Sequence, residues 1–161
     1  MIRARIHQFL DASRLPVSGD FALAELHLSP ALLPLFLQQH PRDIVHSAAT
    51  ARWLLSRGHS EPDLIAAALL HDVGKGEQRR MDRVAHVVCQ ATGLGTMAAC
   101  DRSRFKLRRA LARSASHSER GSAMLARAGA PPRVVELTRL HHGPSTGDPV
   151  LALLQQADAA S

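Results

Sequence analysis

The sequence predicts an all-α domain of about seven to nine helices. Three observations carry that prediction. No segment alternates apolar and polar residues with period two for long enough to form a strand. Ala, Leu and Arg dominate while β-branched and aromatic residues are few, and only 3% of residues are aromatic. Proline and glycine recur at spacings that start and stop helices. At 161 residues the chain has the length of one domain, and we take residues 1–161 as a single unit.

The elements follow in order. Ile2 to Ala12 is a short amphipathic segment with Ile6, Phe9 and Leu10 on one side. Ser29-Pro30 starts a helix that runs through Leu37, with serine as cap and proline near its first position. After Pro41 a helix spans about Arg42 to Arg57 and is closed by Gly58. Ser60-Glu61-Pro62-Asp63 has the form of a capping box and launches a helix from Leu64 to about Val73. Arg79 to Ala91 is helical, Gly93 to Arg104 is a polar loop, and Leu107 to Arg113 is a short helix. Ser116 to Arg127 forms a helix stopped by Gly129. Pro131-Pro132 begins another that ends at His141-His142, and Asp148 to Ala160 is the last.

Composition removes several classes of function. The longest apolar run, Leu64 to Leu70, is far shorter than the roughly 18 residues of a membrane span. The N-terminal stretch has no apolar core and no small-residue cleavage site, so a secretory leader is not expected. Cys89 and Cys100 form no CxxC pair and read as reduced thiols of a cytoplasmic protein. With no Tyr and one Trp, platforms for stacking single-stranded nucleic acid are scarce. A net charge of +6 favours an anionic partner.

The ten histidines stand out against two lysines. Leu64–Leu70 is apolar on every side, which marks a helix buried all round, yet it runs directly into His71-Asp72. A buried carboxylate at a helix end is costly unless a cation or donors meet it. An Asp–His hydrogen-bonded pair at a helix terminus is the simplest arrangement of that kind. The other histidines argue for more. His46 lies one helix upstream, on a face shared with Ala49, Thr50 and Trp53. His117 opens one helix, His141-His142 close the next, and Asp158 sits in a mostly apolar stretch with no basic neighbour. Imidazoles mixed with carboxylates suit zinc, iron or manganese better than an all-oxygen calcium cage. Six or seven such ligands exceed the needs of one tetrahedral ion, which points to two metals sharing a carboxylate.

His46, then His71-Asp72, then Asp158 resembles the H…HD…D signature of the HD-domain metal-dependent phosphohydrolases. His71-Asp72-Val73-Gly74-Lys75 is similar to that superfamily's HD-x-G-K form. His117-Ser-Glu-Arg-Gly121 resembles its later H-x-x-x-G element, and the segment from Val134 to His141-His142 resembles the double-histidine helix that follows. The last two elements are typical of the two-metal, HD-GYP-like branch. The resemblance covers residues 42–158 and implies an HD-type helical bundle. It implies that His46, His71, Asp72 and Asp158 hold a first metal and that His117, His141 and His142 hold a second. Asp72 would bridge the two, with Lys75 beside the phosphate. No GYP triplet follows His142, so cyclic-dinucleotide specificity is not implied.

Arg79, Arg80, Arg83 and the run Arg102, Arg104, Lys106, Arg108, Arg109 and Arg113 form a basic stretch between the halves of this pattern. A solvated helix face explains it. A phosphate-gathering rim built on Arg79, Arg108 and Arg109 explains it as well. The expectation is therefore a phosphohydrolase that uses one or two divalent ions, drawn from manganese, iron, zinc and magnesium. Its partner would be a small phosphoester, a nucleotide first of all, and not a nucleic acid or a membrane. The alternatives are a non-catalytic module that senses a nucleotide or a protein partner, and a di-iron oxygenase.

Overall fold

A computed structural model describes residues 15–75, 117–144 and 147–161. Among these residues all regular structure is helical and there is no strand. The elements are α1 (Ser18–His27), α2 (Leu33–Leu37), α3 (Pro41–Leu55), α4 (Pro62–Leu70), a 3₁₀ turn (Val73–Lys75), α5 (residues 117–127), α6 (Pro132–Leu140) and α7 (Pro149–Ala160). The expected helices over Ile2–Ala12, Arg79–Ala91 and Leu107–Arg113, the Gly93–Arg104 loop and both cysteines lie outside the described residues.

The centre of the fold is α4. Every residue from Leu64 to Leu70 is buried, as a helix apolar on all faces requires. It packs against α3, α6 and α7 and also touches α1 and α2. Phe36, Leu54, Leu125, Val134, Leu137, Leu151 and Leu154 close the core around it. Each such side chain contributes roughly 1.5–3 kcal/mol through burial. The end of α4 therefore emerges where several helices converge, and that is where His71 and Asp72 sit.

Three local expectations need correction. The helix Ser18–His27 was not anticipated; it buries only Asp20 and Ala24, so its sequence shows little apolar periodicity. Its anchor is polar. Asp20 accepts from the Val17 amide at 2.8 Å and meets Arg52 of α3 at 2.5 Å. Second, Ser29 does not cap a helix with its side chain. Its carbonyl accepts from the amides of Leu32 and Leu33, and regular helix begins only at Leu33, with Leu32 as its N-cap. Third, the Ser60–Asp63 capping box does not form. The N-cap is Glu61, with no side-chain bond, because Pro62 presets the first helical φ and pushes the residue before it into extended backbone.

Other boundaries match the reading closely. α3 ends at Leu55, and Gly58 at φ 85° completes the turn. The amides of His59 and Gly58 bond back to the carbonyls of Leu54 and Leu55 at 3.1 and 3.0 Å, the paired bonds of a Schellman motif. Asp148 caps α7 by accepting from the amides of Val150 and Leu151, and Arg133 of α6 holds the same carboxylate through two 2.7 Å contacts. This clamp fixes the start of the helix whose last turn carries Asp158. No helix among the described residues is long and apolar enough to cross a membrane.

Candidate metal centre

Seven side chains from five elements meet at the end of α4. His46 comes from the second turn of α3, His71 and Asp72 from the end of α4, and His117 from α5. His141 and His142 follow α6, and Asp158 lies in the last turns of α7. Their donor atoms fall into two groups that share Asp72. One is His46, His71 and Asp72; the other is Asp72, His117, His141 and His142. Within each group the donor atoms lie within 4.8 Å of one another.

Asp72 divides its two oxygens between the groups. Oδ2 lies 3.5 Å from His71 Nε2 and 4.0 Å from His46 Nε2. Oδ1 lies 3.6 Å from His117 Nε2 and 3.9 Å from His141 Nε2. Asp158 closes the first group, with Oδ1 2.8 Å from His46 Nε2 and 3.4 Å from His71 Nε2. In the second, His142 Nε2 and His117 Nε2 are 3.1 Å apart, and the His141 and His142 ring centroids are separated by 3.9 Å.

Local structure explains why these atoms point inward. His71 and His141 are the C-cap residues of α4 and α6. Each ring donates Nδ1–H to the carbonyl three residues earlier, Ala68 at 2.9 Å and Thr138 at 2.6 Å. Those carbonyls belong to the last turn, which lacks intrahelical partners. Because a carbonyl only accepts, the bond keeps a proton on Nδ1 and leaves Nε2, facing Asp72, as the ring atom that can meet a cation. This is the second-layer contact that orients histidine ligands in metalloproteins.

The backbone contact between the 3₁₀ turn and α5 is equally specific. A Cβ built on Gly74 would stand 1.9 Å from the His117 carbonyl oxygen and 2.4 Å from the Gly121 nitrogen. Only two glycines let the chain after Asp72 lie directly on α5, and that approach brings His117 to Asp72 Oδ1.

The arrangement fits a cation. His71 Nε2, His141 Nε2 and Asp72 Oδ1 are buried and have no hydrogen-bond partner. Orphaned buried polar atoms of this kind cost roughly 1–3 kcal/mol each, and a cation held among them would meet all three. Imidazole nitrogens with carboxylate oxygens match zinc, iron or manganese.

A family model described as "HD domain" matches residues 43–161 of the chain. The protein belongs to the HD-domain family. No curated protein and no solved structure is matched. The HD residues of this chain are thus His71 and Asp72, at the junction of α4 and the 3₁₀ turn.

Electrostatics in the HD cluster are strongly coupled. Burial disfavours a charged His71 ring, but the Asp72 and Asp158 carboxylates overcome it and push its pKa up to about 9. Asp72 and Asp158 are held well below the usual carboxylate range. For both, burial opposes ionisation; at Asp72 the charges of His71 and Lys75 more than offset it, and at Asp158 the hydrogen bonds from His46 and His71 do. His141, buried and facing His71, is pushed down to about 3. Burial also lowers His142.

Lys75 lies against Asp72, its ammonium bonded to Oδ2, the oxygen that faces His46 and His71. The sequence reading placed Lys75 beside a phosphate and did not anticipate this ion pair, which follows from the i,i+3 spacing through the 3₁₀ turn. Nor did it foresee that the Ala68 and Thr138 carbonyls set the histidine tautomers. A histidine immediately after a helix's last apolar residue was the available signal. Arg79, Arg108 and Arg109 lie outside the described residues.

Proposed function

We propose that this HD-domain protein is a metal-dependent phosphohydrolase acting on a small phosphoester, a nucleotide foremost. The observation that carries the proposal is Asp72, which turns one oxygen toward each histidine group while the buried Nε2 atoms around it lack partners. His46, His71, Asp72 and Asp158 would hold one divalent ion, and Asp72, His117, His141 and His142 a second. Such ions, when bound, acidify a water and withdraw charge from phosphoryl oxygens.

The chain's own groups do the rest. The Nδ1 bonds of His71 and His141 to the carbonyls behind them keep both Nε2 atoms aimed at fixed points. Asp72 supplies the counter-charge common to both points. The Lys75 ammonium is partly exposed at the rim and is the described cation placed to meet a phosphoryl oxygen, which it would hold as charge builds there. Helices α3, α4, α6 and α7 hold these groups on rigid elements, so little reorganisation accompanies the reaction.

The test is metal analysis of the purified chain, followed by a panel of phosphomonoesters and phosphodiesters under manganese, iron, zinc and magnesium. Turnover that disappears with chelator and returns with one of these ions is expected. A chain that binds none of them, or binds them and cleaves nothing in the panel, overturns the proposal. Tight nucleotide binding without turnover would make it a sensor instead.

A further inference from the structure

A cavity of about 350 Å³ opens beside the cluster, and Asp72 and Lys75 form one of its walls. That volume lies at the low end of small-molecule sites, so it holds one compact group. The connection from α2 to α3 and the first turn of α3 also line it, and this wall carries Gln38, His40 and Asp43. Leu35, Val73 and Met124 supply its apolar surface.

The polar groups of this wall are unequally engaged. Gln39 is used by the fold: its amide nitrogen donates to the Leu69 carbonyl and its oxygen faces the Ser47 hydroxyl. His40 accepts from the Arg42 amide through Nδ1, so the neutral ring presents Nε2–H as a donor. The side chains of Gln38 and Asp43 have no hydrogen-bond or ion-pair partner among the described residues. Asp72 is already committed to Lys75 and the histidines. With Lys75 held by Asp72 and turned to the reacting phosphoryl group, Asp43 is the charge that the α3 side of the cavity offers to a ligand, and it is negative.

That sign selects the ligand. An additional phosphate in a cavity of this size would meet the Asp43 carboxylate and be repelled. A carboxylate accepts two hydrogen bonds side by side, so it suits an uncharged group with two adjacent N–H or O–H donors. Building on the phosphohydrolase reading, we propose that this cavity takes the uncharged organic part of the phosphoester and that Asp43 anchors it through such a donor pair. Two sources share that chemistry: the amide and amino edge of a guanine-type base, and the vicinal diol of a ribose. The substrate is then a monophosphate with its organic part turned toward α3, not a polyphosphate.

Phosphate-free nucleosides test the anchor apart from turnover. Guanosine, adenosine and 2′-deoxyguanosine are titrated into the metal-free full-length chain by calorimetry, with Asp43→Asn and Gln38→Ala beside wild type. If the base edge is read, guanosine and 2′-deoxyguanosine bind alike and above adenosine; if the diol is read, guanosine and adenosine bind alike and above 2′-deoxyguanosine. In either case Asp43→Asn weakens binding about tenfold or more, as expected for loss of a hydrogen bond to a charged group. With the metal-loaded chain, Asp43→Asn raises KM for the preferred monophosphate by a similar factor with kcat little changed. Asp43→Lys moves preference toward the corresponding triphosphate. Absence of nucleoside binding, or binding indifferent to Asp43→Asn, overturns the inference even if the chain hydrolyses phosphoesters. Nucleoside binding that depends on Asp43 in a chain without turnover keeps the donor-pair anchor and removes the reaction.

Discussion

The rings of His71 and His141 meet edge to face with centroids 5.1 Å apart, each held by the same bond to the carbonyl three residues before it. Two helices of unrelated sequence thus end in one device. The last apolar turn buries the ring, the orphan carbonyl accepts a hydrogen bond from Nδ1–H, and Nε2 is left facing Asp72. The two rings nevertheless differ in charge. The carboxylates of Asp72 and Asp158 raise His71, whereas burial and the neighbouring His71 depress His141.

That difference predicts proton release on metal uptake. At pH 7 the metal-free His71, with its pKa near 9, carries a proton, and an imidazole must lose it to act as a ligand. Calorimetric titration of zinc or manganese into the metal-free chain, in buffers of different ionisation enthalpy, should show about one proton released per cation entering the His46–His71 group. The release should fade as the pH approaches 9. His141 should add nothing at pH 7, being neutral already. Uptake without any buffer dependence would refute the assignment of His71 as a ligand.

The stability of the metal-free chain should peak near neutral pH. His71 is raised from 6.5 to about 9, so its contribution is complete below pH 6.5 and is lost as the pH climbs through 9. His141 is lowered from 6.5 to about 3, so its contribution is complete above pH 6.5 and is lost as the pH falls toward 3. Asp72 and Asp158, both depressed, add a further loss below the ordinary carboxylate range near 3.8. Thermal melts in chelator from pH 4 to 10 measure this. His71→Gln should flatten the alkaline limb, and His141→Gln should flatten the acid limb.

Asp72→Asn keeps the shape of the side chain and removes the charge that both histidine groups face. With metal present, turnover should fall by several orders of magnitude, since both ions lose their shared counter-charge. His142→Ala should lose only part of the activity. Without metal, Asp72→Asn should melt below wild type near neutral pH, because it removes the charge that His71 and Lys75 face and leaves them unpaired. Wild-type turnover in Asp72→Asn would reduce Asp72 to a helix-end partner of His71.

Replacing the two contact glycines should have unequal effects. A Cβ on Gly74 strikes backbone atoms of His117 and Gly121, which cannot move aside alone. Gly74→Ala should therefore cost at least the upper end of the roughly 1–3 kcal/mol that overpacking carries. A Cβ on Gly121 meets the Gly74 nitrogen at 3.1 Å and the Thr138 and Val73 methyls at 3.4 Å, so Gly121→Ala should be milder. In both variants metal stoichiometry should drop more at the His117 group than at the His46 group. Equal stability of the two variants, measured by urea unfolding, would contradict this geometry.

Much of the site could be read from the sequence because its residues sit at helix ends, where punctuation is strongest. Leu64–Leu70 running into His71-Asp72 announces a buried helix that delivers polar groups at its terminus. Pro131-Pro132 followed nine residues later by His141 does the same for α6. The structure adds what spacing cannot express, namely which oxygen of Asp72 faces which ring and which carbonyl holds each Nδ1. α1 escaped because its two buried residues, Asp20 and Ala24, form no apolar stripe. Its place depends on the Asp20–Arg52 pair, a long-range contact that local pattern does not encode. The supposed Ser60 cap failed for the opposite reason, a motif of correct form overruled by the proline inside it.

Exposure across the cluster runs from its middle to its two ends. Asp72, His71 and His141 are almost completely covered, whereas His46 and Asp158 are about one quarter exposed and His142 is exposed on the far side. The shared carboxylate is thus almost wholly covered, while His46 and Asp158 at one end and His142 at the other reach water. A cation held at either position would be exchangeable without the fold opening and without its neighbour leaving. Occupancy would then track the ions in the surrounding solution, position by position. Different preparations of the same chain should accordingly carry different metals, and mixed pairs, with the fold unchanged.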